Sequence, residues 1–157
     1  MKLRQLKGFC GSEASIYTVL KSDGKTCVSE FIEEWIKDFE PAVVNFVSRL
    51  KSIGTVTGAT ENFFRLNEGN APDDLVCALH DLPEMRMRLY CIRLTDKIVI
   101  VGGGGPKNVR AWQEDPKLKK AAEFMISVSG WVRRNISNGD LEYSEDGLTL
   151  VGKLDLP

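Results

Sequence analysis

The chain lacks most of the features that mark a protein class at first sight. Its 157 residues include one histidine and four cysteines, and no two cysteines lie close together. Zinc sites need clustered ligands and disulfide frameworks are typical of small exported chains, so the sequence predicts neither. No apolar run approaches the ~20 residues that cross a bilayer, and no apolar signal segment follows the basic start. We therefore expect a cytoplasmic protein with no membrane partner.

An excess of charge of one sign is missing as well. The net charge is −1 and the isoelectric point is about 5.9, so bulk attraction to nucleic acid is not expected. Any nucleic-acid site has to be a local patch of basic side chains. The hydrophobic fraction of 43% and the charged fraction of 27% predict one globular domain that spans residues 1–157.

The first half of the chain predicts a strand and a pair of helices. Residues 15–20 are rich in β-branched and aromatic side chains, which favours a strand. Ser29 is the expected N-cap of a first helix, and Pro41 ends that helix and opens a second one. Because almost no loop separates the two helices, we expect a helical hairpin.

The second half predicts strands, a long helix and a small hairpin. Alternation over residues 86–94 and the apolar run 97–101 indicate two paired strands, and the glycine run 102–105 is expected to end the second. A helix then begins at Asp115 and Pro116. The fold class is therefore α+β: an antiparallel sheet carries the N-terminal helical hairpin and a C-terminal helix. The core covers about residues 15–134, and a small β-hairpin follows within 141–152.

The glycine run does not match the established phosphate-binding patterns. It lacks the Gly-Lys-Ser/Thr ending of a Walker loop and the spacing of a dinucleotide-binding fingerprint. Nucleotide binding is therefore the least favoured interpretation, and two others remain open. The glycines form a flexible exit from a buried strand, or they let the backbone approach a phosphate closely.

Basic residues around the paired strands are the best candidates for a site. Arg86 and Arg88 share one strand face, and Lys107 and Arg110 follow the partner strand, so these groups are expected to converge on a phosphate. The alternative is a solvated strand face with ion pairs to acidic residues such as Glu84.

The order of these segments resembles the RelE/HigB-type toxins of bacterial toxin–antitoxin pairs. The similarity covers the first strand and helix, the strand that carries a basic residue, the central hairpin and the basic loop before the last helix. The corresponding segments are residues 17–20 and 30–35, 75–80, 88–92 with 97–101, and 105–110.

The resemblance implies a ribosome-dependent mRNA endonuclease. In such toxins the 2′-hydroxyl of the RNA attacks the neighbouring phosphate and leaves a cyclic phosphate. An antitoxin protein, mRNA and the ribosome are the implied partners, and neither a cofactor nor a metal is expected. The alternative is a non-catalytic domain of the same fold that acts through protein–protein contacts, as the acidic isoelectric point favours. The implied roles are phosphate stabilisation by Arg88, a loop cation from Lys107 or Arg110, acid–base chemistry by His80, and RNA binding by Arg86 and Arg93.

Overall fold

The structure is a computed structural model that describes residues 1–81, 86–108 and 110–157. In these ranges one six-stranded sheet, three helices and a separate two-stranded hairpin form. The strands are β1 Lys2–Gln5, β2 Ser15–Leu20, β3 Phe64–Arg65, β4 Val76–Leu79, β5 Met87–Arg93, β6 Ile98–Pro106, β7 Leu141–Tyr143 and β8 Leu150–Gly152. The helices are α1 Cys27–Trp35, α2 Glu40–Ser52, which continues into a π-helical turn, and α3 Pro116–Ser137.

The large sheet is mixed, so the prediction of an antiparallel sheet is wrong. Its strands lie in the order β1-β2-β6-β5-β4-β3. At its centre β2 and β6 are parallel, with Ser15 opposite Ile98 and Thr18 opposite Val101, while the other pairs are antiparallel. Between β2 and β6 the chain forms α1 and α2 and then β3, β4 and β5, so a long connection joins the two parallel strands, as a parallel pair requires.

The sequence predicted that this strand would end at the glycine run, and that prediction is wrong, because β6 continues through the glycines. The strand continues to Pro106, with Gly104 opposite Leu89 and Gly105 opposite Arg88. Glycine keeps both backbone hydrogen-bonding groups, so it can extend a strand ladder without contributing a side chain. A Cβ at Gly104 would lie 1.9 Å from the carbonyl oxygen of Arg88, so the close approach of the two strands requires glycine there.

α1 begins earlier than predicted because Thr26, rather than Ser29, is its N-cap. The side-chain oxygen of Thr26 accepts a hydrogen bond from the backbone N–H of Ser29 at 3.1 Å. The backbone N–H of Thr26 donates in return to the Ser29 hydroxyl at 3.1 Å. This reciprocal capping box satisfies two N–H groups that would otherwise lack partners. Pro41 lies in the first turn of α2, as the sequence predicted, but it does not end the first helix, because α1 already ends at Trp35.

The predicted helical hairpin is wrong, because α1 packs mainly on β6 and makes only limited contact with α2. Phe31 of α1 and Phe46 of α2 have ring centroids 6.0 Å apart. Both side chains belong to one core with Ile16 and Leu89 of the sheet. α1 buries its apolar stripe mainly against β6, and the apolar side chains of α2 join the same core.

α3 and the C-terminal hairpin cover the opposite sheet face. The carboxylate of Asp115 caps α3 by accepting hydrogen bonds from the backbone N–H groups of Lys117 and Leu118, as the sequence predicted. The buried stripe of α3 packs on a core that includes Tyr17, Tyr90 and Ile100. The hydroxyl of Tyr17 accepts a hydrogen bond from the backbone N–H of Leu150 at 2.9 Å, which attaches the hairpin β7–β8 to the sheet.

The C-terminal segment closes the β1 edge of the sheet. The backbone N–H of Leu3 donates to the carbonyl of Leu154 at 2.9 Å, and the N–H of Leu156 donates to the carbonyl of Met1 at 2.8 Å. The opposite edge is β3, with two residues. Among the described residues, no helix is both long and apolar enough to span a membrane. Residues 82–85, which include the predicted ion-pair partner Glu84, lie outside the described residues.

Candidate functional site

One end of the sheet brings His80 and Arg88 together. Ala78 of β4 lies opposite Tyr90 of β5. Continuing this register by two residues, just past the end of β4 at Leu79, places His80 across from Arg88. The backbone N–H of His80 donates to the carbonyl of Phe63 at 2.9 Å, which holds the residue beside the sheet. Two of the residues singled out in the sequence are therefore neighbours across adjacent strands.

The surroundings of His80 are cationic. Partial burial lowers the pKa of His80 below its ordinary value of 6.5, and the charges of Arg65 and Arg49 lower it further. Arg88 contributes in the same direction, and Asp81 acts in the opposite one. The imidazole is therefore uncharged at neutral pH, which is the form that accepts a proton.

Arg88 is buried within this end of the sheet. It is 7% exposed, and its Nε lies 3.6 Å from Oε1 of Glu68. One terminal nitrogen of the guanidinium donates to the carbonyl of Met87 at 3.2 Å. Burial of a charged group is tolerated only when an opposite charge lies near it, and Glu68 supplies that charge. Arg88 and Glu68 therefore form a largely buried ion pair at this end of the sheet.

The loop that carries Glu68 is held by backbone hydrogen bonds. The N–H of Glu68 donates to the carbonyl of Val76 at 3.1 Å, and its own carbonyl accepts a hydrogen bond from the indole N–H of Trp112 at 2.7 Å. The buried carboxylate of Asp74 accepts hydrogen bonds from the backbone N–H groups of Asn70 and Val76. These contacts fix the position of Glu68 beside Arg88.

Two buried polar atoms at this end have no hydrogen-bond partner among the described residues. They are Nε of Arg88 and the hydroxyl of Tyr90. Burial raises the pKa of Tyr90, and the negative charge of Glu68 adds to that effect. The hydroxyl consequently stays protonated at neutral pH. Buried polar atoms without a hydrogen-bond partner are rare in folded proteins and are concentrated at functional sites and at positions of ordered water.

The remaining predicted site residues divide between the two ends of β5. The backbone N–H of Lys107 donates to the carbonyl of Arg86 at 2.7 Å, so both residues lie at the end that holds His80. Arg110 is exposed beyond β6, and its backbone N–H donates to the carboxylate of Glu114. Arg93 lies at the other end of β5, where its Nε donates to the carbonyl of Ala59 at 2.7 Å. The structure does not bring Arg93 to the others.

Three residues of this site, Arg49, Arg65 and Glu68, were not identified from the sequence. Arg49 lies on α2, Arg65 on the edge strand β3 and Glu68 in a polar loop, so no local pattern connects them with β5. The strand-favouring aromatic residues Phe63 and Phe64 beside Arg65 are the one signal that could have placed it near a strand. No group of three or more potential metal ligands occurs among the described residues.

The arrangement combines an uncharged imidazole with several fixed cations. Such a set can accept a proton and stabilise negative charge that develops on a phosphate. No protein-family model, no curated protein and no solved structure matches the chain.

Proposed function

We propose that this protein is an RNA-cleaving toxin of the RelE/HigB type that cuts mRNA on the ribosome. The observation that carries the proposal is the position of His80, which lies among Arg49, Arg65 and Arg88 at one end of the sheet. A histidine whose pKa is lowered by burial and by neighbouring cations is neutral and suited to taking a proton from a hydroxyl group next to a phosphate.

In the proposed reaction His80 accepts the proton of the 2′-hydroxyl while that oxygen attacks the adjacent phosphorus. The bond from phosphorus to the 5′-oxygen breaks, and the 5′-oxygen takes a proton from water; the hydroxide that remains accepts the proton held by His80, which restores the neutral imidazole. A cyclic phosphate remains. The charge that develops on the phosphate is stabilised by the exposed side chains of Arg65 and Arg86 and by Lys107, while buried Arg88 acts from beneath them.

The backbone at Arg86 supports a functional role for this end of the sheet. Arg86 has a φ angle of 49°, a left-handed conformation that is uncommon for residues other than glycine. Such conformations cost free energy and are concentrated at functional sites. The residue is exposed next to Met87, which is 0% exposed, so this conformation lies where β5 leaves the core.

The test is cleavage of a translated mRNA by the purified protein, with and without ribosomes, and mapping of the cut ends. We expect ribosome-dependent cuts that leave cyclic phosphate ends. His80→Gln is expected to lower the cleavage rate about 100-fold, because the proton acceptor is lost. Lys107→Gln is expected to lower it by a similar factor, because one phosphate cation is lost.

The matched control is Arg4→Gln, which removes one exposed positive charge from β1, outside this site. Cleavage by this variant is expected to equal that of the unmodified protein. If His80→Gln and Arg4→Gln cleave equally well, His80 is not the proton acceptor. If folded protein cleaves no RNA in either condition, the proposal is wrong.

A second candidate function is a non-catalytic domain that binds another protein. Its support is the net charge of −1, together with the pairing of Arg88 with Glu68, which removes one cation from the surface. This alternative predicts no RNA cleavage by folded protein. It also predicts that a partner binds with an affinity that His80→Gln leaves unchanged.

A further inference from the structure

A groove lies between α1 and α3, above the glycine run of β6. It encloses about 350 Å³ and is lined by Phe31 of α1, by Ala121 and Phe124 of α3, and by Gly103 and Gly104. We call it the α1–α3 groove. Sites for small molecules typically enclose about 300–1,000 Å³ and are mostly apolar. The groove has the size and the lining of a small site of that kind.

The floor of the groove is strand backbone that no side chain covers. Pairing of β6 with β2 ends at Thr18 opposite Val101, and within the described ranges no strand replaces β2 beyond that point. The indole N–H of Trp35 donates to the carbonyl of Gly104 at 3.2 Å and closes one end. A Cβ at Gly103 would meet no atom within 4 Å, so this glycine leaves open the space that a side chain would fill.

The rim of the groove carries one more positive charge than it has negative charges. Lys21 forms an ion pair with Glu30 at 2.7 Å, and Lys117 forms one with Glu34. Lys120 also lines the groove, and it forms no ion pair with any residue that the structure describes. The lining thus contains three lysines against two glutamates, and Lys120 is the cation left over.

We propose that the α1–α3 groove binds a small amphipathic anion, with an apolar body and one negatively charged head group. The apolar body packs between Phe31 and Phe124 over Gly103, and the head group pairs with Lys120. The enclosed volume suits a small molecule rather than a peptide segment, and the single surplus charge matches a single anionic group. None of the residues proposed for RNA cleavage lines this groove, so the inference is independent of that function.

Octanoate and octanol are the probes, because they share an apolar chain and differ in the charged head. Each is titrated into the full chain, and amide chemical shifts are followed by NMR. We expect octanoate to shift the amide signals of residues 27–34, 103–104 and 117–124, with half-saturation at about 1 mM. Octanol is expected to bind the same residues about tenfold more weakly, because it cannot pair with Lys120.

Two variants test the apolar contact and the charged contact separately. Gly103→Leu fills the groove and is expected to weaken octanoate binding at least about tenfold. Lys120→Gln is expected to weaken octanoate but not octanol. Gly8→Leu is the control, because a Cβ there also meets no atom within 4 Å and Gly8 lies outside the groove. Its binding is expected to equal that of the unmodified chain.

The proposal is overturned if octanoate causes no shifts in these three segments up to about 10 mM. It is overturned equally if folded Gly103→Leu binds octanoate as tightly as the Gly8→Leu control. Lys120→Gln provides the readout if Gly103→Leu does not fold, because Lys120 is exposed. If the unmodified chain binds octanoate and octanol equally tightly, and Lys120→Gln does so as well, the anionic head group is not recognised.

Discussion

The ion pair between Arg88 and Glu68 makes a quantitative prediction about stability. The side chain of Arg88 is 8% exposed and that of Glu68 is 18% exposed. Glu68→Gln removes the negative charge but keeps the size of the side chain, and Arg88→Met removes the positive charge in the same way. These two variants and the double variant form a thermodynamic cycle that isolates the interaction between the two charges.

The magnitude follows from the separation of the charges and their burial. At 3.6 Å two opposite unit charges attract by about 4–5 kcal/mol when the effective dielectric constant is about 20. Desolvation of both groups offsets a large part of this attraction. We expect Glu68→Gln to lower the free energy of unfolding by about 3 kcal/mol, because it leaves a buried guanidinium without a partner. Arg88→Met should lower it by about 1–2 kcal/mol, since Glu68 still reaches water.

The double variant should be about 2 kcal/mol more stable than the sum of the two single effects predicts. Urea unfolding followed by tryptophan fluorescence measures all four free energies, and Trp112 lies beside the Glu68 loop. A parallel cycle at the exposed pair Lys25–Glu33 is the control and should show no resolvable coupling. Additivity at Arg88 and Glu68 within about 0.5 kcal/mol would refute the argument that the pair is a buried, coupled unit.

Three further predictions concern the glycine run, the histidine and the indole of α1. Gly104→Ala should destabilise the fold by more than about 2 kcal/mol, because its Cβ would meet the backbone of β5 at 1.9 Å, whereas Gly103→Ala should be neutral or slightly stabilising. Because burial and Arg65 lower the pKa of His80 in the folded chain, the unfolded chain binds a proton at His80 more readily than the folded chain does. Stability should therefore rise with pH between the lowered pKa and about 6.5, and an NMR titration of the single histidine should give a midpoint below 6.5 that moves up in Arg65→Gln. Trp35→Phe should lower the free energy of unfolding by about 1 kcal/mol, since the hydrogen bond to β6 is lost.

Each of these predictions has an outcome that contradicts it. Equal unfolding free energies for Gly104→Ala and Gly103→Ala would show that the two strands are not in close contact at this point. A midpoint at or above 6.5 for His80 would mean that its surroundings are not cationic. Unchanged stability of Trp35→Phe would indicate that the indole N–H is satisfied equally well by water.

Several elements were predicted correctly from the sequence, because a few neighbouring residues determine each of them. The strand at residues 15–20 agrees with β2, since β-branched and aromatic residues are bounded there by a turn. Alternation along β5 placed Met87 and Leu89 on one face and Tyr90 on the other, and the two cores confirm this. The Asp115 cap of α3 was predicted because capping depends on the sequence of a single helical turn.

The wrong predictions concern features that depend on distant partners. The parallel pairing of β2 with β6 joins residues about 80 positions apart, so no local pattern specifies its direction. The extension of β6 was missed because four glycines carry no hydrophobic alternation. In the site, the convergence of Arg86 and Lys107 follows from the hairpin, whereas the contributions of Arg49 and Glu68 arise only when α2 and the polar loop pack near β5.

The pairing of residues 154–156 along β1 has a consequence for self-association. An exposed edge strand offers unpaired N–H and C=O groups to any other extended chain, and it is a common starting point for aggregation. Here the chain supplies its own final segment to β1, and the other edge, β3, offers only two residues. A variant that ends at residue 152 should therefore form larger species on concentration that the full chain does not form. Residues 154–156 are therefore expected to protect solubility by occupying the edge of β1.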